Sequence, residues 1–201
     1  MEYPGIIQIS SKYLYCEKLI HMKSGIKKVL YSIMYRLLFL IGGEGFSSRE
    51  FNPGTLFRYF FQQKILRINP HVPWPVHRTS QIKAPEKIEK GNRNPGMSLG
   101  CYIDGRNGIK FGKNVWIGPR VSIISMEHDL MDYHQYRSAE PIVIGDDCWI
   151  ETNAIILPGV ELGRHVVVGA GAVVTKSFPE NYMVIAGNPA RMIKKIKQAD
   201  V

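Results

Sequence analysis

Large aliphatic side chains return at every sixth position along one stretch of the chain: Ile144, Ile150, Ile156, Leu162, Val168 and Val174. Glycine follows several of them, at Gly145, Gly163 and Gly169. Four positions after each aliphatic stands a second small or apolar residue: Cys148, Ala154, Val160, Val166 and Ala172. This spacing matches neither the roughly 3.6-residue period of a helix nor the roughly two-residue period of a strand. It predicts a column of short strands, about 18 residues per coil, with one hexapeptide on each of three faces. Every sixth side chain then points at the axis and stacks on its counterpart one coil away. Such positions are fully buried and must be apolar. The residue that follows sits near a corner, where a small side chain relieves crowding or permits an unusual φ. Neighbouring coils satisfy each other's backbone groups.

The same register extends upstream through Leu99, Gly105, Phe111, Ile117 and Ile123, with Ile103, Ile109, Val115 and Val121 on the companion row. Gly105 breaks the rule and marks a narrow spot or a bulge. Residues 76–98 fit no clean register and read as an irregular first coil. A second break, the loop 126–141, carries His128, Asp129, Asp132, His134 and Arg137. Long insertions in compact domains are often functional.

Before the column the period changes. From Ile26 to Ile41 the residues Ile26, Val29, Leu30, Ile33, Leu37, Leu40 and Ile41 share one helical face, and Lys27, Lys28, Tyr31, Ser32, Tyr35 and Arg36 share the other. Gly42 and Gly43 end the helix. It is short for a membrane span and contains Arg36. Two readings stand: a helix packed on protein, or one lying in a membrane interface. Pro53–Arg67 predicts a second helix, with Pro53 near its start. Pro70, Pro73 and Pro75 then impose an extended connector. The expected division is a helical region over 1–72 and a β-column over 73–201. Met1–Leu19 lacks the layout of a signal peptide and reads as a segment that packs on something.

The formal charge of +9 over 201 residues points to anionic partners: a nucleotide or phosphate cofactor, a lipid surface or an acidic glycan. The basic C-terminus is accompanied by no nucleic-acid-binding signature, so nucleic acid is not expected. Cys16, Cys101 and Cys148 are scattered, without a CxxC. Neither a disulfide framework nor a zinc site is expected, and a reducing, cytoplasmic setting follows. Cys148 falls on an inward row and reads as packing. His128, His134 and His165 do not form a metal-binding spacing, so no metal is expected.

Five segments carry a resemblance: FGKNVWIGPRVSI, SMEHD, PIVIGDDCWIETNAIILPGVELG, VVGAGAVVTK and AGNPARMIKKI. Over Leu99–Lys197 the chain resembles the hexapeptide-repeat acyltransferases, in particular the O-acetyltransferases related to the maltose, galactoside and serine enzymes and those of the colanic-acid type. The resemblance implies an all-β core, a left-handed parallel β-helix; the expected fold adds a short C-terminal helix and the α-helical N-terminal region, which departs from the short helical segment of the maltose and galactoside enzymes. Left-handedness comes from the resemblance alone, since crossovers are ordinarily right-handed. It implies a homotrimer with acetyl-CoA, the acyl donor, in the groove between neighbouring columns. It assigns His128 as general base. Trp149, Thr152, Ala170, Thr175, Lys176, Arg191 and Lys194 match cofactor-side positions, and Asp104, Asp129 and His134 are acceptor-side candidates. Asp129 directly follows His128, and Glu151 stands where glycine is common; both departures bear on the acceptor.

The residues agree with that chemistry. A hydroxyl attacks a thioester poorly unless its proton is removed in flight, and imidazole exchanges protons near neutrality. A carboxylate or a backbone carbonyl must hold the other ring nitrogen, with Asp129 and Glu140 as candidates. Acceptors in view are a sugar, a polysaccharide precursor or a lipid-linked saccharide at the inner face of a membrane. N-acetylation of an amino-sugar nucleotide and a non-catalytic trimeric scaffold are the alternatives.

Overall fold

The computed structural model describes residues 25–46 and 51–197. The expectations for Met1–Leu19 and Cys16 lie outside the described residues. The chain divides into two compact units, one up to Phe60 and one from Phe61 on.

The first unit contains two helices, α1 (Gly25–Gly42) and α2 (Pro53–Phe60), with a helical turn at Glu44–Phe46. Gly43 ends α1 at a φ of +75°, and its N–H donates to the Phe39 carbonyl at 2.9 Å. The Asn52 side chain caps α2 by accepting from the Gly54 N–H at 2.8 Å, and Pro53 occupies the first helical position. The helices pack on each other. Leu38, Phe46 and Leu56 are buried, and the Phe46 and Phe60 rings meet edge to face at 5.7 Å.

The buried side of α1 is not the one its pattern predicts. Tyr31, Met34, Tyr35 and Leu38 turn inward or are half-buried. The Tyr35 hydroxyl donates to the Phe51 carbonyl at 2.8 Å, and the Asn52 amide donates to the Tyr31 hydroxyl at 3.1 Å. Each tyrosine offers an apolar ring for packing and a hydroxyl for the polar chain beside it. Val29, Leu30, Ile33, Leu37, Leu40 and Ile41 are left 46–78 % exposed.

The second unit begins before the expected boundary at Val72. Its first element is a π-helical turn, Phe61–Ile65, so the helix predicted to reach Arg67 stops sooner; Arg67 and Asn69 both adopt positive φ. Buried Gln63 explains the early start. Its amide nitrogen donates to the carbonyls of Trp74 at 3.0 Å and Val72 at 3.4 Å, and its oxygen accepts from the Val76 N–H at 2.9 Å. Val72, Trp74 and Val76 belong to the core of the column.

The column has three faces, each a stack of short strands. One face holds β1 (Gln81–Lys83), β3 (Tyr102–Asp104), β6 (Ser122–Ile124), β11 (Ile155–Ile156) and β14 (Val173–Val174). The second holds β2 (Ile88–Glu89), β4 (Ile109–Phe111), β9 (Ile142–Ile144) and β12 (Glu161–Leu162). The third holds β5 (Trp116–Ile117), β10 (Trp149–Ile150), β13 (Val166–Val168), β15 (Met183–Ala186) and β16 (Arg191–Lys195). Within the three faces pairing is parallel up to β15, and the coil is a left-handed β-helix.

Register follows the six-residue spacing. Ile82, Ile103, Ile123, Ile156 and Val174 form one continuous inward row. Ile117, Ile150, Val168 and Ile185 form another. The aliphatics from Ile144 to Val174 and their companions from Cys148 to Ala172 are all buried. Leu99, placed on the inward row by its spacing, is instead 44 % exposed, in the turn before β3. The irregular first coil is a true coil, with Ile82 and Ile88 six apart and both buried. Gly105 is the narrow spot: a Cβ there would lie 2.5 Å from Ile88 Cγ1.

Corner glycines relieve crowding without supplying unusual φ. A Cβ on Gly145 would lie 2.6 Å from the Gly163 backbone in the next coil. The positive φ values fall two residues further on, at Asn114, Asp147 and His165, residue types that tolerate the left-handed region.

No helix closes the column among the described residues. Arg191–Lys195 forms β16, antiparallel to β15. The free edge of β15 offers a row of backbone partners, and Gly187–Ala190 is a turn that returns the chain along it.

Candidate active site

The chain winds across the β5 face, then the β1 face, then the β2 face. The loop 126–141 therefore leaves the column at the edge between the β1 and β2 faces. It is a hairpin of β7 (Glu127–His128) and β8 (Tyr136–Arg137), with His128 paired to Tyr136. Asn107 pins its base: its amide donates to the carbonyls of Ser125 at 2.9 Å and Arg137 at 3.2 Å. Glu127 and Arg137 pair across it at 3.6 Å. At the tip, Asp129 accepts the N–H groups of Met131 and Asp132 at 2.8 and 3.3 Å, which hold its carboxyl below the ordinary range.

His128 is exposed, and its ring is held from two sides. Nδ1 lies 2.6 Å from the Tyr133 carbonyl oxygen. A carbonyl only accepts, so this contact needs the proton on Nδ1 and leaves the lone pair of the neutral ring on Nε2. The ring also packs on Tyr136, tilted by 33° with centroids 4.5 Å apart. The partner of the ring nitrogen is thus a backbone carbonyl; Asp129 is engaged in the tip turn.

Behind Tyr136 runs a charged chain of contacts. The Arg106 guanidinium covers the Tyr136 ring at 4.8 Å. Arg106 donates to both oxygens of Asp104, with the closest contact 2.7 Å from Nη2 to Oδ2. The Asp104 side chain is 1 % exposed and that of Arg106 32 %. Burial pushes the Asp104 carboxyl up, but the hydrogen bonds from Arg106 outweigh it and the net shift is downward. The same bond raises Arg106 further. Asp104, read as acceptor-facing, is thus buried and engaged by Arg106. An open cleft of about 380 Å³ is lined by Arg106, Lys87, Glu89, Lys110 and Ser138, and His128 is not among its lining residues.

The remaining candidates are dispersed over the column. Thr175 and Lys176 lie exposed on the edge that carries the hairpin, two coils further along, with Lys176 Nζ 5.7 Å from the Phe178 ring centre. Thr152 and Ala170 lie on a different edge, between the β5 and β1 faces; Thr152 Oγ1 donates to the Pro119 carbonyl at 2.9 Å. Trp149 is half-buried on the β5 face, in register with Trp116 and Val167. Beside it, burial raises the Glu151 carboxyl. Arg191 and Lys194 are exposed on β16. His134 is exposed at the hairpin tip, its N–H donating to Asp132 at 3.0 Å. His165 stacks on Tyr182 at 5.2 Å. Among the described residues no three metal-ligating side chains come together.

Sequence reasoning missed Tyr136, Arg106 and Asn107. The only signal was the pairing of positions across a hairpin, and a loop with one short strand at either end shows too few alternating residues to reveal it.

Residues 141–176 match the family described as bacterial transferase hexapeptide (six repeats). The galactoside O-acetyltransferase of Escherichia coli (strain K12) is 38 % identical over 97 residues, 46 % of this chain and 46 % of that protein. An E. coli (strain K12) protein provisionally named a colanic acid biosynthesis acetyltransferase is 39 % identical over 121 residues, 60 % of this chain and 65 % of its own length. The chain spans about half the length of the first curated relatives it matches. The solved structure of a galactoside acetyltransferase in complex with coenzyme A is 30 % identical, with a TM-score of 0.53 over 61 % of this chain and 64 % of that one. In repeat, register and coil, the column of this chain is a left-handed hexapeptide β-helix of the kind these acetyltransferases carry.

Proposed function

We propose that the protein transfers the acetyl group of acetyl-CoA to a hydroxyl of a sugar or glycan acceptor, with His128 as the general base. The observation that carries this reading is the fixed ring of His128. Its Nδ1–H is held by the Tyr133 carbonyl and its Nε2 lone pair is left for a substrate proton. The names of the similar acetyltransferases and the coenzyme A in the similar structure supply the donor.

In the proposed step Nε2 removes the acceptor proton as the hydroxyl oxygen bonds to the thioester carbonyl carbon. The tetrahedral intermediate collapses, the carbon–sulfur bond breaks, and the imidazolium returns the proton to the thiolate. The products are an acetyl ester and free CoA. Base catalysis of this kind is worth about 10²–10⁴ in rate.

The site belongs between neighbouring columns of a homotrimer. His128 and Lys176 occupy one edge of the prism, whereas Thr152 and Ala170 occupy another, so one cofactor served by both sets calls for a second copy. The outward residues Trp116, Trp149, Val167 and Val184 make an apolar stripe suited to such a neighbour. Arg191 and Lys194 are assigned to the CoA phosphates.

The test is His128→Ala, assayed by thiol release from acetyl-CoA with a panel of sugars. Loss of turnover with assembly mass and CoA binding retained is expected. Unchanged turnover removes the assigned base and leaves a scaffold role. Offering hydroxyl and amine acceptors side by side separates O- from N-transfer. Lys176→Glu with Arg191→Glu is expected to weaken acetyl-CoA far more than its dephospho form; equal losses would argue against phosphate contacts.

A further inference from the structure

We propose that Arg106 is a positioning residue for His128, acting through the Tyr136 ring. The proposal rests on His128 being the base, but the ring orientation it describes can be read without turnover. It starts from how little the hairpin holds by itself. β7 and β8 contribute two residues each, paired Glu127 to Arg137 and His128 to Tyr136. A ribbon of that length is marginal in water. The Glu127–Arg137 ion pair, at 3.6 Å with both side chains half-exposed, adds little. Tyr136 is itself 52 % exposed. A ring so placed keeps one orientation only where something rigid lies against it.

The column supplies that surface. Arg106 stands in the turn after β3, two residues beyond Asp104. Its Nε donates to Asp104 Oδ1 at 3.0 Å, its Nη2 to Oδ2 at 2.7 Å and its backbone N–H to Oδ1 at 3.2 Å. The Tyr102 hydroxyl donates to the same carboxylate at 3.3 Å. Asp104 is wholly buried, and its carbonyl accepts the N–H of buried Ser125 at 3.0 Å, at the root of the hairpin. A two-point bond of this kind fixes the plane of a guanidinium as well as its charge. That plane lies 4.8 Å from the Tyr136 ring centre, within the range of cation–π attraction. Tyr136 in turn packs on the imidazole, whose Nδ1 proton goes to the Tyr133 carbonyl. Orientation is thus handed from a buried carboxylate to a guanidinium, a phenol and an imidazole. No proton travels this route, because a guanidinium does not give one up. The role is geometric.

The test is Arg106→Lys, which keeps a cation for Asp104 and loses the planar fork. Under the proposed function it is expected to lower kcat about fivefold, with the KM of acetyl-CoA and of the acceptor within about twofold of wild type. In the Tyr136→Ala protein the same change should cost nothing further, since coupled residues fail to add. The imidazole is read directly by long-range proton–nitrogen NMR at about pH 8.5, well above the ordinary imidazole value, with His128→Gln identifying the signals. Wild type should show the proton on Nδ1, and Arg106→Lys a mixture of the two tautomers. Tyr136→Ala, which leaves the Asp104–Arg106 pair intact, should show the same mixture; this arm stands even if Arg106→Lys does not fold. A wild-type ring spectrum in either variant overturns the proposal, whatever the turnover. So do additive losses of kcat, an altered spectrum with unchanged turnover, or a raised acceptor KM with unchanged kcat, which would assign Arg106 to acceptor binding. If His128→Ala leaves turnover intact the assigned base fails, and the spectra still decide whether Arg106 orients the ring.

Discussion

At the scale of single residues, His128 depends on what its neighbours fix. The ring contact with Tyr136 needs a ring but no hydroxyl, so under the proposed function Tyr136→Phe is expected to keep near-normal turnover. Tyr136→Ala removes one of two constraints on the imidazole and is expected to lower kcat by about tenfold, since misplacing a reacting group is costly. Steady-state kinetics on the pair checks this. The Asp104 carboxyl has a folded value below its ordinary one. Its contribution to stability is therefore complete above about pH 4 and is lost as pH falls through the folded value. Arg106→Met leaves that carboxylate buried without its ion-pair partner. We expect a loss of about 2 kcal/mol at neutral pH, reduced from the fully buried case because Arg106 is partly exposed. The deficit should shrink below about pH 4 as the carboxyl protonates. Urea unfolding of both proteins at pH 7 and pH 3 measures it.

At the scale of elements, the hexapeptide rule predicts which side chains matter. Ile150→Ala opens a cavity in a continuous row and is expected to cost about 2–5 kcal/mol. Leu99→Ala, off the row despite its spacing, should cost less than about 1 kcal/mol; the two denaturation midpoints decide. Cys148 sits on the same axis, where burial pushes its thiol up to about 11, and burial raises Cys101 too. In a Cys16→Ser protein no thiol should titrate with a disulfide reagent at pH 8 until denaturant is added. The column was legible because a repeat states the same physical demand many times over, and six buried aliphatics in step leave few alternatives. Ile82 and Ile88 went unread because Ala84 and Pro85 between them form an atypical corner. The inward Tyr31 and Tyr35 were unreadable for a different reason: amphipathic rings satisfy either side of a helix. The holder of Nδ1 was hidden because any residue supplies a carbonyl, so Tyr133 carries no mark in its type.

At the scale of the molecule, the two units answer to different forces. The column is a stack in which each coil contacts only its neighbours, so its stability grows with coil number. In the helical unit, much of the apolar surface of α1 faces outward. The helical unit is therefore expected to exchange its amide hydrogens faster than the column. Hydrogen exchange read separately over 25–60 and 61–197 tests this division. The antiparallel strand Arg191–Lys195 has a further consequence. A stack of parallel rungs has nothing intrinsic to stop another stack from docking on its open end. Here the last rung is sealed by a ribbon bearing Arg191, Lys194 and Lys195, so two ends that approach meet cation against cation. A protein truncated after Ala186 should pair end to end with a second copy, doubling the mass read by light scattering, while the full chain keeps its mass.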